Sequence, residues 1–211
     1  MKSYEKVVLE ILRRLRKGYE SGFMKEQQKN GEEVRKVPVL LRKIVLLLPF
    51  NPRASCARIL MKSAKNARIV LDVACGHGGN AIVTKYLYPK SYIIGFDIFR
   101  PRILECKSLK VYDDLLIADV RFPPFSEKSV DVTYFTETIE HLEKEDGFIA
   151  LKNLERISRK AILITTPKEF GIGAIEDVIK ERNVFQLHRS KWLPSEFKRR
   201  GYLVWGGIRS F

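Results

Sequence analysis

Three carboxylates stand at the ends of short apolar runs: Asp72 in RIVLDV, Asp97 in SYIIGFD and Asp119 in LLIAD. An acid at the end of a buried strand is costly unless it is paired or meets ligand or water. Three of them on neighbouring strands describe a rim that faces a ligand. Asp72 is followed at once by VACGHGGN. Gly76, Gly78 and Gly79 permit a tight turn there and let a ligand approach the backbone closely. A helix beginning at Asn80 adds an N-terminus that favours negative charge. An ordinary βα turn that happens to hold glycines fits the same stretch, so the elements around it must decide.

Those elements alternate from Ile69 onward. Apolar, β-branched runs predict strands at Ile69–Val73, Tyr92–Asp97, Leu115–Asp119, Val130–Thr136, Ala161–Thr165 and Tyr202–Trp205. Between them, residues 80–87, 101–109, 145–158, 174–182 and 194–200 read as helices. The pattern predicts an α/β, doubly wound, mostly parallel Rossmann-like sheet of six or seven strands, with ligands at the carboxyl ends. Before it, Val7, Val8, Ile11, Leu12 and Leu15 share one helical face. VPVLLRKIVLLLPF forms a second apolar segment, and residues 53–63 read as a third helix. The expected organisation is a basic N-terminal helical cap over residues 1–66 and a Rossmann-like domain over 67–211.

Four ordered stretches, VLDVACGHGGN, IIGFDIF, LLIADVRFPPFSEKSVDVTYFTETIEHL and AILITTP, resemble the class I S-adenosylmethionine-dependent methyltransferases. The likeness covers residues 69–167 closely and Trp192–Gly207 more loosely. It implies S-adenosylmethionine as cofactor. It implies Asp72 toward the cofactor's ammonium, with Ala74, Gly76 and Gly78 lining the turn. Ala74 stands where the family usually has glycine. Asp97 resembles the acid that accepts both ribose hydroxyls, a task suited to a carboxylate. The resemblance further implies that Ile98 packs on the adenine face, that Asp119 accepts from the adenine amino group with the Val120 amide nearby, that Tyr134 to Thr136 run beneath the sulfonium, and that His77 flanks the cofactor's carboxylate end. A dinucleotide GxGxxG would need glycine at Ala81, which is absent.

Glu137-Thr138-Ile139-Glu140-His141 follows the fourth strand, and His188 follows the fifth. The pattern is similar to that of ubiquinone-type O-methyltransferases and small-RNA 2′-O-methyltransferases, in some of which such residues hold a divalent cation. Glu140, His141 and His188 are the candidate catalytic residues, facing the acceptor. No metal is assigned. His141 orienting a loop, and His188 packing under Trp192, is the competing structural reading.

Composition narrows the setting. Three widely separated cysteines, Cys56, Cys75 and Cys106, suggest neither a disulfide framework nor a metal knuckle, so a reducing cytoplasm is expected. No apolar run reaches the ~18 residues that cross a bilayer. The net charge is +14. Residues 1–68 hold 17 basic and 6 acidic groups, a net of +11, against 22 and 19 in the remainder. That asymmetry fits an anionic partner at residues 1–68, either a membrane surface bound peripherally or RNA, and fits equally a solvated basic face. No DNA-binding motif, RNA module or NPPY-type motif is present. The expected function is methyl transfer to a small-molecule or lipid-like acceptor at oxygen; the alternative is methylation of RNA.

Overall fold

The protein is described by a computed structural model over residues 52–168, 178–179 and 182–205. The expectations for the first two N-terminal helices, and most of that for 174–182, lie outside the described residues. The third helix is α1, Pro52–Ser63. Then follow β1 (Ile69–Val73), α2 (Gly79–Leu87), β2 (Tyr92–Asp97) and α3 (Arg100–Leu109). The chain continues through β3 (Asp114–Ile117), β4 (Val130–Thr136), α4 (Lys144–Ile157), β5 (Ser158–Thr165) and α5 (Pro194–Arg199).

All strand pairs are parallel and the sheet order is β3-β2-β1-β4-β5. The fold class expected from the sequence is therefore the one found. The chain leaves β1 in one lateral direction to build β2 and β3, and returns to its other side for β4 and β5. A crevice opens at the carboxyl ends of β1 and β4, where the winding reverses. Opposite that crevice, carboxylates fasten the strand starts. Asp131 Oδ2 accepts from the Arg68 and Ile69 amides at 2.8 and 3.0 Å, and Asp113 Oδ2 accepts from the Ile93 amide at 2.7 Å.

One core joins Leu71 and Val73 of β1, Phe96 of β2 and Phe135 of β4 to Leu151, Leu154 and Ile157 of α4. Trp192 and Phe197 complete it from the C-terminal region. Leu71 and Val73 point to this face, so Asp72 between them points to the other, by the two-residue strand period.

Among the described residues the sheet has five strands, not six or seven. Tyr202–Trp205 is the correction. Tyr202 and Val204 pack on the core and the Tyr202 hydroxyl donates to Glu155 Oε1 at 2.9 Å, while Leu203 and Trp205 are exposed. The period-2 pattern is met by packing against α4 rather than by a ladder. β3 also ends at Ile117, so Asp119 lies two residues past the strand rather than at its end.

Gly147 of α4 carries the indole of Trp192 across its backbone; a Cβ there would lie 2.3 Å from Trp192 Cζ2. The ring cannot simply yield, because Nε1 donates to Ile139 O at 3.2 Å and to Ser190 Oγ at 2.8 Å. Helix propensity alone would make Gly147→Ala stabilising by ~1 kcal/mol. Overpacking of a fixed ring costs ~1–3 kcal/mol and prevails. Gly147→Ala is expected to lose about 1–2 kcal/mol in urea denaturation; a gain would mean that Trp192 moves freely.

Candidate functional site

The turn after β1 is built from left-handed backbone. Ala74, Gly76 and Gly78 have φ of 49°, 50° and 74°. Ala74 is a non-glycine residue in this region, a conformation that costs an L-residue of order 1–2 kcal/mol. A Cβ on Gly76 would meet only Ala74 O, at 3.9 Å, so the space beside it is open. Gly78 differs. A Cβ there would lie 2.6 Å from Leu109 Cδ1 and 3.3 Å from Tyr112 Cε2. Its missing side chain makes room for the protein beneath the turn, not for a ligand above it.

Asp97, at the end of β2, faces this turn. Its Oδ2 accepts from the Gly76 amide at 3.0 Å and its Oδ1 from the Phe99 amide at 2.8 Å. Two backbone donors thus fix the carboxylate's orientation. Burial raises the Asp97 pKa, against these amides and the Arg102 charge. Ile98, beside it, is 37% exposed and offers an apolar face.

Asp72 of β1 is enclosed by protein. It has no exposed surface. Its Oδ2 accepts from the Tyr112 hydroxyl at 2.7 Å and its Oδ1 from Asn80 Nδ2 at 3.2 Å. The same Asn80 amide donates to Thr136 Oγ1 at 2.9 Å. Asp72 is therefore tied through Asn80 to the end of β4. Neither Asn80 nor Tyr112 stood out in the sequence as a site residue. Asn80 opens the helix after the glycines, which was a usable signal; Tyr112 lies 40 residues from its partner and gave none.

On the adenosine-facing side expected from the sequence, Asp119 is held by Arg121. Nε lies 3.1 and 3.0 Å from Oδ1 and Oδ2, and Nη2 lies 2.6 Å from Oδ2. Burial pushes the Asp119 pKa up, but the Arg121 bonds and charge outweigh it and hold the carboxyl below its usual range. Arg121 also reaches Asp146 of α4 at 3.1 Å. The Val120 side chain is buried in the core, so only its backbone can serve a ligand. His77 is turned toward α3, with Nδ1 3.1 Å from Glu105 Oε2 and 3.0 Å from Arg102 Nη1.

On the other side of β1, the chain leaves β4 through Glu137, a non-glycine residue at φ 47°. Such outliers concentrate at functional sites. A 3-10 turn, Ile139–His141, follows. The segment bearing His188 is stitched onto it. The Arg189 and Ser190 amides donate to Glu140 O at 2.7 and 3.1 Å, and Ser190 Oγ donates to Leu142 O at 2.7 Å. Glu140, His141 and His188 are thereby brought together, each offering one ligand atom within 4.8 Å of the others; Glu137 is not in that group. The two imidazoles meet edge to face, centroids 5.0 Å apart. His141 Nδ1 lies 3.3 Å from Leu187 O. Donation to that carbonyl leaves Nε2 with the lone pair. Burial lowers the His141 pKa, and His188 lowers it further, so the ring stays neutral near neutral pH. A narrow cleft lined by Glu140, Thr166, Pro167, His188, Ser190, Lys191 and Trp192 opens beside the group. A cleft of about 610 Å³ around Arg68, Tyr88 and Ser91 lies at the opposite ends of the strands.

Glu140 is 3% exposed, and its Oε2 has no hydrogen-bond partner. Burial pushes its pKa from 4.5 to about 7, and the Glu137 charge adds to the rise. The folded state thus binds a proton that the unfolded state has released between these two pH values. Stability is lost as pH rises through that window, and the penalty is complete above it. Glu140→Gln should match the parent near pH 4.5 and exceed it by about 2–3 kcal/mol at pH 8, in urea denaturation with chelator present. An equal difference at both pH values would remove the buried-charge account.

Comparison with known proteins agrees with this geometry. Residues 70–161 match the methyltransferase domain family. No curated protein matches the chain. Among solved structures, the PH0226 protein of Pyrococcus horikoshii is 25% identical, with 62% of this chain and 55% of that one covered and a TM-score of 0.45. A SAM-dependent methyltransferase from Archaeoglobus fulgidus is 20% identical, with 75% and 66% covered and a TM-score of 0.52. The small RNA methyltransferase HEN1 is 19% identical, with 71% and 20% covered and a TM-score of 0.52. The chain spans less than two thirds of each of those proteins, and the latter two likenesses establish the fold alone. The residues that match the methyltransferase domain family, 70–161, are those that hold Asp97 fixed beside the left-handed glycine turn.

Proposed function

We propose that the protein transfers the methyl group of S-adenosylmethionine to an oxygen of a small or lipid-like acceptor. The observation that carries this reading is the clustering of Glu140, His141 and His188 beyond β4 and β5, across β1 from Asp97. The residues present fit the cofactor. Asp97 is a pre-oriented carboxylate for a diol, Ile98 an exposed apolar face for a base, and Gly76 an open flank beside the turn. Asp119 and the Val120 backbone serve the adenine edge, and the Asp72–Asn80–Thr136 chain supports the end of β4 nearest the methionine moiety. When bound, the cofactor supplies an electrophilic methyl group, so the protein's main task is alignment. A base is needed only where the acceptor arrives protonated, as a hydroxyl does. The neutral His141, oriented through Nδ1 by Leu187, suits that step; His188 and Glu140 lie in the same cluster. The stretch VPVLLRKIVLLLPF, outside the described residues, is apolar in composition, which suits such an acceptor.

The charge of residues 1–68 supports a second reading, an RNA acceptor held by its phosphates. Cofactor-derived label appearing in RNA, and salt-sensitive RNA binding by the full chain, would favour it. Label in a lipid or small-molecule fraction favours the first reading. Among the described residues no helix is long and apolar enough to cross a membrane.

Asp97→Ala should weaken cofactor binding by ~2–4 kcal/mol in calorimetry, through two charge-assisted hydrogen bonds. Circular dichroism must show the variant folded, because Asp97 also satisfies two backbone amides. Equal affinity in the folded variant would withdraw the ribose assignment. His141→Ala should keep cofactor affinity and lose turnover by ~10²–10⁴-fold. Turnover that instead vanishes with chelator and returns with Mg²⁺ or Mn²⁺ would transfer the three side chains from base work to cation binding.

A further inference from the structure

Beneath the turn lies a pair of side chains that methyl transfer does not use. Cys75 sits in the turn itself and Cys106 on α3, 31 residues away, with their sulfurs 3.9 Å apart. Both are buried, at 6% and 0% exposure. Cys106 Sγ also donates to Gly76 O at 3.1 Å. The Cys75 amide is anchored to Phe96 O at 3.0 Å, and the Gly76 amide holds Asp97. Sulfur chemistry at this pair therefore acts on the peptide that orients the Asp97 carboxylate.

We propose that Cys75 and Cys106 form an oxidation-sensitive pair that closes to a disulfide under peroxide and thereby weakens cofactor binding. The effect on binding rests on the reading of this turn as the cofactor cradle; the disulfide itself does not. A disulfide requires a sulfur–sulfur distance of about 2.05 Å. Closing the gap draws the turn and α3 together and removes the thiol hydrogen that Cys106 gives to Gly76 O. Cys106 gives its own hydrogen to Gly76 O and accepts the hydrogen bond from Cys75, an arrangement that favours its thiolate and makes it the sulfur oxidised first. Hydrogen peroxide oxidises Cys106 to the sulfenic acid and is reduced to one water. The Cys75 sulfur then attacks the Cys106 sulfur. The sulfur–sulfur bond forms, the sulfur–oxygen bond breaks, and the departing hydroxide takes the Cys75 proton as a second water. Burial selects a small oxidant of this kind and limits its access to moments when the turn opens.

The test uses the full chain treated with hydrogen peroxide, then alkylated in denaturant. Of the three cysteines, only Cys56 should remain alkylatable, and peptide mapping should join residue 75 to residue 106. Calorimetry with S-adenosylmethionine should show affinity falling at least tenfold and returning with reductant. Cys106→Ser, which keeps a donor for Gly76 O, and Cys75→Ser should each be insensitive to peroxide. Three alkylatable thiols after treatment, or a bond that includes Cys56, would overturn the pair. A 75–106 bond with unchanged affinity would overturn the regulation. A reduced protein that binds no cofactor would defeat the cradle reading and the regulation with it, while the thiol count would still decide the pair.

Discussion

The cofactor side of the domain is organised around one carboxylate that has no contact with solvent. Asp72 lies at the centre of the sheet with its carboxyl group fully buried. A buried ion is tolerable only when its lone pairs are met. The Tyr112 hydroxyl meets one oxygen, and to reach it the ring must pass between β2 and the turn after β1. A Cβ on Gly95 would lie 2.6 Å from Tyr112 Cε1, and one on Gly78 would lie 3.3 Å from Cε2. Two glycines on separate elements therefore form the slot for one ring. Asn80 meets the other oxygen and carries the connection across to Thr136 at the end of β4. Satisfying a single charge thus ties together β1, α2, β4 and the segment leading into β3.

The two sides of β1 follow opposite electrostatic rules. Toward β2 and β3 the acids are satisfied: Asp97 by two amides, Asp119 by Arg121. Toward β4 and β5, Glu140 keeps an oxygen without a partner and a pKa near neutrality. An unpaired buried acceptor costs ~1–3 kcal/mol, so its persistence marks a place where stability has been given up. The Ser190 and Trp192 bonds to the 139–142 turn hold the cluster together despite that cost.

How much of this could be read from residues alone depended on the range of the interaction. Three of the five strands, β1, β2 and β4, were legible to the residue, because strands buried in a parallel sheet are continuous apolar runs; β3 and β5 were found with displaced ends. Tyr202–Trp205 was misread because alternating burial against a helix leaves the same trace as a half-buried strand. That Asp72, Asp97 and Asp119 matter was legible; how each is used was not. An acid at a strand end looks the same whether it meets a ligand, as the Asp97 geometry allows, or a tyrosine 40 residues away, as Asp72 does. Arg121 was within reach, since a D-x-R spacing beyond a strand permits a bidentate pair. The meeting of His141 with His188 could be expected only at the level of the rim, because the hydrogen bonds that dock one segment on the other come largely from the backbone.

This division has a chemical logic. Alkyl transfer from a sulfonium asks little of a protein beyond holding donor and acceptor in line. The part that must be constant can therefore be rigid, and here it is the part in which Asp72, Asp97 and Asp119 each have protein partners. The acceptor is the variable, and the groups proposed to face it lie on elements joined through loop backbone: the turn after β4 and the segment before α5. Among the described residues, these segments meet the Asp72 network at Thr136, the last residue of β4. Acceptor choice and cofactor geometry are thus separable in this fold, with β4 as their shared boundary.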